Sequence, residues 1–258
     1  MTAETSALIR VLRTLHDHLA ELVVDLGPEQ LRTRSFATEW TVAEVLSHLG
    51  SGAELGMLRL KSGDDDGPTH EEIAQVWAKW DARTPEQQAV EAVAADEAYV
   101  AGLESLDESG LAELHRELAG LELDAENVLR LRIAEHAMHG WDIAVAFDDS
   151  AQVADAAVPA LLEVLPVTLR FAAQPHDDQL KLRVETTAPE RRLLLELTNS
   201  EARIRKLTDG ADVDGQLTIP AEALLRLVYG RLDPRHTPPV STGDDSPLDR
   251  LRAIFRGF

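Results

Sequence analysis

Apolar and polar positions alternate along this chain with two periods, and the change of period divides it. Leu8, Leu12, Leu15, Leu19 and Leu22 recur at steps of three and four residues. That spacing makes one face of an amphipathic helix, predicted over roughly 3–26. His16 and His18 interrupt the stripe. Being two apart they point to different faces, and both read as ordinary histidines. Gly27-Pro28 ends the helix, and a polar connector covers 29–39.

Three capping boxes then mark helix starts. Thr41 with Glu44 opens a helix at about Val42, with Trp40 and Val45 placed as a hydrophobic staple. Thr69 with Glu72 opens a short helix through Trp80. Thr84-Pro85-Glu86-Gln87 opens another, carrying Val90, Val93, Val100 and Leu103. Between the first two, Asp64-Asp65-Asp66 among glycines reads as a solvated loop, since its spacing is not that of a calcium loop. A turn is expected over 107–110 and a brief helix over 111–118. Asp124 caps a further helix reaching about Phe147. The pattern therefore gives three long helices and a fourth broken one, a helical bundle over 1–150.

Past Asp149-Ser150 one more helix runs over 155–172, with Pro166 as an expected kink. The period then falls to two. Leu180, Leu182 and Val184 alternate with polar residues, as do Leu193, Leu195 and Leu197, Ala202 and Ile204, and Leu217 and Ile219. These read as strands of an antiparallel sheet. Pro220 starts a helix that Gly230 stops, a loop covers 231–243, and Ser246-Pro247 caps a last helix. Residues 151–258 thus form an α+β domain large enough for its own core, and the fold class is α + (α+β).

Composition narrows the function. The chain has 258 residues, 44% hydrophobic and 28% charged, as expected for a globular protein with a sizeable core. Its formal net charge of −21 opposes binding to nucleic acid or anionic membranes. No apolar run is long enough to span a bilayer, and residues 1–7 lack the basic-then-apolar order of a secretory signal, so a cytoplasmic location is expected. With no cysteine, the chain has no disulfide, thiolate ligand or cysteine nucleophile of its own. Gly-rich phosphate loops and Gly-x-Ser-x-Gly elbows are also missing.

The candidate chemistry sits in the helix after Asp124. Val128, Leu131, Glu135, Met138, Asp142 and Val145 form one seam, and two of the six are carboxylates where the pattern calls for apolar residues. A buried carboxylate is costly unless it is paired, hydrogen-bonded or bound to a metal. His139 lies four residues after Glu135 on nearly the same face, so the two can aim donors at one cation, and zinc accepts both. The plainer alternative is an ion pair between Arg132 and Glu135 with His139 as a core histidine. His48 falls near the inward side of its helix, where histidines are ordinarily hydrogen-bonded core residues, although Gly50 and Gly52 leave room beside it. Bundles build metal sites from inward side chains on facing helices.

These residues resemble a known family. Trp40-Thr41-Val42 leading to His48-Leu49 resembles the first motif of the mycothiol-dependent maleylpyruvate isomerase family. Arg132-x-x-Glu135-x-x-x-His139-Gly140-x-Asp142 resembles its second, and 223–232 with the terminal Gly257-Phe258 looks like the end of its C-terminal domain. The resemblance implies a DinB-like four-helix bundle followed by a sterol-carrier-like α+β domain. It implies zinc, or another divalent metal, held by His48, Glu135 and His139, with Asp142 orienting a histidine or water and Arg231 assisting substrate binding or catalysis. His136, three residues before His139, is a rival ligand but lies off the seam. The cosubstrate implied is mycothiol, a small-molecule thiol, whose metal-bound thiolate adds to a small electrophilic substrate, giving an isomerase or S-transferase. A non-catalytic, metal-stabilised carrier for an apolar ligand or partner protein is the alternative.

Overall fold

The computed structural model describes residues 2–37, 39–62, 67–118, 121–199, 201–242 and 246–257. Asp64-Asp65-Asp66 and Phe258 lie outside the described residues. The chain forms two compact units, Met1–Asp148 and Asp149–Phe258.

In the first unit four helices of 20 to 22 residues carry the architecture: α1 (Ala3–Val24), α3 (Val42–Ser62), α5 (Pro85–Glu104) and α7 (Ala125–Ala144). All four are continuous, so the expected broken helix is not found. The short α2 (Pro28–Leu31) and α4 (His70–Asp81) connect them. Each expected capping box is present: Glu44 accepts from the Thr41 backbone N–H, and Thr69 with Glu72 and Thr84 with Gln87 do the same for α4 and α5. Helix α3 packs against α5 and α7, and α1 against α5 and α7.

Close approach of α3 and α5 depends on small residues. A Cβ on Gly50 would collide with the Trp80 ring and the α5 backbone at Ala92. One on Gly52 would meet the Arg132 guanidinium, and one on Gly56 the Tyr99 ring. Gly50 is therefore spent on helix packing, whereas Gly52 and Gly56 also border the open space beside His48. Likewise Val90 is 71% exposed, and the buried side of α5 is Ala89, Ala92, Asp96, Tyr99, Val100 and Leu103.

The stretch expected to be a turn and then a helix is inverted. Asp107 accepts a hydrogen bond from the Gly110 N–H and caps α6 (Glu108–Ala112). A small hairpin follows, β1 (Arg116–Leu118) paired antiparallel with β2 (Leu121–Leu123). Leu118 and Leu121 with their neighbours satisfy a helix stripe and a strand alternation about equally, and six residues are too few for the period to decide.

In the second unit, α8 (Val158–Ala172) contains Pro166, and a five-stranded sheet follows in the order β5-β4-β3-β6-β7. The strands are β3 (Leu180–Thr187), β4 (Arg191–Thr198), β5 (Glu201–Lys206), β6 (Gly215–Pro220) and β7 (Ser241–Thr242). Every expected strand is found, but β6 pairs parallel with β3, while the other pairs are antiparallel. Alternation fixes which face a residue takes and carries no information about strand direction. Leu182, Val184, Leu195, Ile204, Leu217 and Ile219 are buried in the sheet. Helix α9 (Ala221–Val228) packs on β3, β6 and α8. It stops where Gly230 takes φ +72°, and α10 (Leu248–Ile254) ends the unit. Among the described residues no helix is long and apolar enough to cross a membrane.

Candidate metal centre

Helices α3 and α7 bring three side chains to one point. The ligand atoms of His48, Glu135 and His139 all lie within 4.8 Å of one another. The His48 Nε2–H donates to Glu135 Oε2 at 2.8 Å, and His139 Nε2 stands 3.6 Å from the same oxygen. The i, i+4 relation stacks Glu135 and His139 on one face of α7, and His48 faces them from the second turn of α3. The His48 and Glu135 side chains are each 39% exposed, so the cluster is reachable from outside, whereas His139 is 12% exposed.

Asp142 holds the third member. It is fully buried, and its Oδ2 accepts from His139 Nδ1–H at 2.9 Å. That bond fixes the tautomer, leaving the Nε2 lone pair of His139 turned toward Glu135. Burial pushes the Glu135 carboxyl up, but the His48 hydrogen bond and the nearby His139, His48 and Arg132 charges outweigh it and hold the group at about 2. An ionised carboxylate and two imidazoles, one with its outer nitrogen already tied, are a donor set that fits a divalent cation such as zinc and leaves room for a fourth ligand. The Trp40 ring covers one side, 5.1 Å from the His48 ring and 6.0 Å from that of His139.

His136 is not part of this cluster. It is buried and its Nε2–H donates to Asp96 Oδ1 at 2.7 Å. Asp96, 0% exposed, also accepts from His16 Nδ1–H at 2.9 Å and Arg132 Nη2–H at 2.7 Å. Burial pushes the Asp96 carboxyl up, but His136, His16 and Arg132 hold it well below the usual carboxylate range. This second cluster was not foreseen from the sequence, and His16, read as ordinary, belongs to it. The available signal was spacing, since Val93, Asp96, Val100 and Leu103 follow steps of three and four with a carboxylate on the seam. Arg132 pairs with Asp96 in place of the ion pair with Glu135 weighed from the sequence.

The expected α7 seam holds in its second half, where Met138, Asp142 and Val145 are buried, and fails in its first. Val128, Leu131 and Glu135 are only half-buried, and the core side of that helix is Leu129, Ile133 and Ala137. The half-buried residues instead line a cavity of about 560 Å³ inside the first unit, together with His48, Gly52, Leu55 and Arg59. Arg231 belongs to the second unit, where its guanidinium donates to the Tyr229 carbonyl at 3.0 Å.

Comparison with known proteins agrees with this architecture. The fold is similar to the crystal structure of the mycothiol-dependent maleylpyruvate isomerase, with a TM-score of 0.67, 12% identity, and 95% of this chain and 97% of that chain covered. A histidine-to-alanine variant of that enzyme gives a TM-score of 0.66 at 11% identity with the same coverage. A protein of Geobacillus kaustophilus (strain HTA426) named as a metal-dependent hydrolase is 38% identical over 78 residues, 30% of this chain and 44% of its own. The chain thus spans less than half the length of that relative. The family model of the mycothiol maleylpyruvate isomerase N-terminal domain matches residues 12–144, a span that contains the whole cluster. With just over half of its length matched, this chain belongs to the mycothiol-dependent maleylpyruvate isomerase family.

Proposed function

We propose that this chain is a cytoplasmic, zinc-containing enzyme in which mycothiol adds to a small electrophilic substrate, with His48, Glu135 and His139 as the metal ligands. The observation that carries the reading is the approach of those three donor atoms to within 4.8 Å, with His48 and Glu135 in the wall of a cavity. A bound divalent cation supplies Lewis acidity, which brings a thiol entering the remaining position toward thiolate near neutral pH. An external thiol suits a chain with no cysteine of its own.

The chain's own residues do the rest. Asp142 keeps His139 in the tautomer that offers Nε2 outward. A cation held here would take the place of the His48 Nε2–H against Glu135, with His48 binding as the Nδ1–H tautomer. Trp40 shields one face of the cluster from water. The sulfur forms a C–S bond at an activated double bond, and the π pair moves onto the adjoining carbonyl. Rotation and loss of the same sulfur give isomerisation, while protonation of the adduct gives an S-conjugate. Arg231 is proposed to bind substrate, as the family resemblance implies.

The test is titration of the metal-loaded protein with mycothiol, following thiolate absorbance across pH, and then a screen of electrophiles. A drop in the thiol pKa that disappears on metal removal supports the reading. Binding of long-chain lipids with no thiol effect supports a carrier instead.

A further inference from the structure

Arg132 is a cation in the interior, 9% exposed on α7. A buried guanidinium is costly unless its charge is paired and its N–H groups find acceptors. Its Nη2 carries two hydrogens, and each has an acceptor on a different helix. One goes to Asp96 Oδ1 on α5 at 2.7 Å, the other to the Leu49 carbonyl on α3 at 3.0 Å. A single nitrogen from α7 therefore joins α3 and α5. Leu49 lies inside α3, so its carbonyl serves the helix ladder with one lone pair and takes Arg132 on the other.

The bridge lies at the level of the ligand cluster. Leu49 directly follows His48, and Arg132 precedes Glu135 by three residues, about 4.5 Å along α7 at 1.5 Å per residue. The missing side chain of Gly52 makes room for it, because a Cβ there would stand 2.9 Å from Arg132 Nη1. A free side-chain end would swing away from such a contact. This one is pinned by its two bonds and lies 5.6 Å from the centre of the Tyr99 ring. Asp96 in turn is held by His16 from α1 and His136 from α7, which fix the carboxylate where the guanidinium meets it.

His48 and Glu135 also join α3 to α7, through the hydrogen bond that a cation displaces. The bond from Arg132 to Leu49 is untouched by that displacement, and it keeps the helices opposed once the direct bond is gone. His136 is no substitute, since it donates to Asp96 on α5 and leaves α3 aside.

We infer that Arg132 is a positioning residue of the metal centre: its bridge from Asp96 to the Leu49 carbonyl sets the separation of α3 and α7 at which His48 meets Glu135 and His139. The inference rests on the proposed function for the cation alone, and not for the thiol or the reaction. It makes the interior cluster part of the construction of the metal site, although none of its members touches the ion.

The experiment is cobalt(II) titration of the metal-free protein, read by affinity and by visible absorption. Cobalt(II) absorbs strongly when four-coordinate and weakly when six-coordinate, so its bands report how the donors are arranged. The wild type is expected to give the strong bands of three protein ligands and one further ligand. R132K keeps a charge for Asp96, but a single ammonium on a shorter stem does not span both acceptors. It is expected to bind cobalt about 10–100-fold more weakly, the range for partners that orient ligands, with weaker bands. G52A presses on the guanidinium without removing it and is expected to shift the bands the same way by less. Leu103→Ala, seven residues beyond Asp96 in the α5 core, should lower the melting temperature and leave cobalt affinity and bands as in the wild type. Wild-type affinity and bands in both R132K and G52A would overturn the inference and leave the metal centre in place. An equal loss in Leu103→Ala and R132K would also overturn it, since general stability would then account for the effect. A wild type that binds no cobalt would contradict the proposed metal centre, and the inference with it.

Discussion

Helix α7 carries two clusters of histidine and carboxylate on adjoining faces, and they differ in closure. On one, His136 and Arg132 meet Asp96 and His16 in the interior, and the Asp96 carboxylate is shared by three donors. On the other, Glu135 and His139 meet His48 at a cavity wall, where the Glu135 and His48 side chains keep 39% of their exposure. The residue types are nearly the same, and Glu135 and His136 are sequence neighbours. Where acceptors and donors saturate one another in a dry site, the cluster fixes helices. Where they converge with solvent access and an ionised carboxylate, the cluster is a donor set open to a cation. Glu135 and Asp96 are both held below the ordinary carboxylate range, so a shifted carboxyl alone does not separate the two roles, whereas access does.

The largest break in that comparison is Asp96→Asn. Removing the charge leaves Arg132 buried against an uncharged partner, which costs on the order of 3–5 kcal/mol. Thermal unfolding of the whole chain should fall by on the order of 10 °C. A melting point within a degree or two of wild type would contradict the interior role.

Acid sharpens the same contrast. Because the folded Asp96 pKa lies well below 3.8, its contribution is complete above that value and is lost as pH falls below it, while the unfolded chain takes up the proton. Denaturant titrations of the metal-free protein should show stability declining below about pH 4, with part of the slope removed in Asp96→Asn.

Asp142→Asn acts on the open cluster through the His139 tautomer. Metal affinity should drop by about 10–100-fold, read by competition with a chromophoric chelator, and the ligands themselves remain in place. Metal affinity equal to wild type would remove Asp142 from the site. The smallest effect on metal is expected from His136→Ala. It should lower stability, since Asp96 loses a buried donor, with metal per chain unchanged.

Local signals carried much of this in the sequence. Thr41, Thr69 and Thr84 announce helices because a capping box is complete within four residues. Glu135 and His139 are legible because helical spacing fixes their shared face. Asp96 was missed because its partners come from α1 and α7, far along the chain, and spacing within α5 shows a seam without showing what meets it. The first half of the α7 seam was misassigned for a related reason: periodicity finds a face, and whether Val128, Leu131 and Glu135 meet core or cavity depends on the packing of α3 and the hairpin. The parallel pairing of β6 with β3 follows from a crossover that no local pattern encodes. Arg132 meets Leu49 and Asp96 only in the folded unit, 83 and 36 positions away.

The most direct test is the metal content of the purified protein and of its His48→Ala and Glu135→Ala variants, measured by mass spectrometry of the acid-digested samples. One divalent ion per chain in the wild type, with a near-complete loss in both variants and none in His136→Ala, is the expected result. Wild-type metal content retained in both ligand variants would contradict a metal centre at His48, Glu135 and His139.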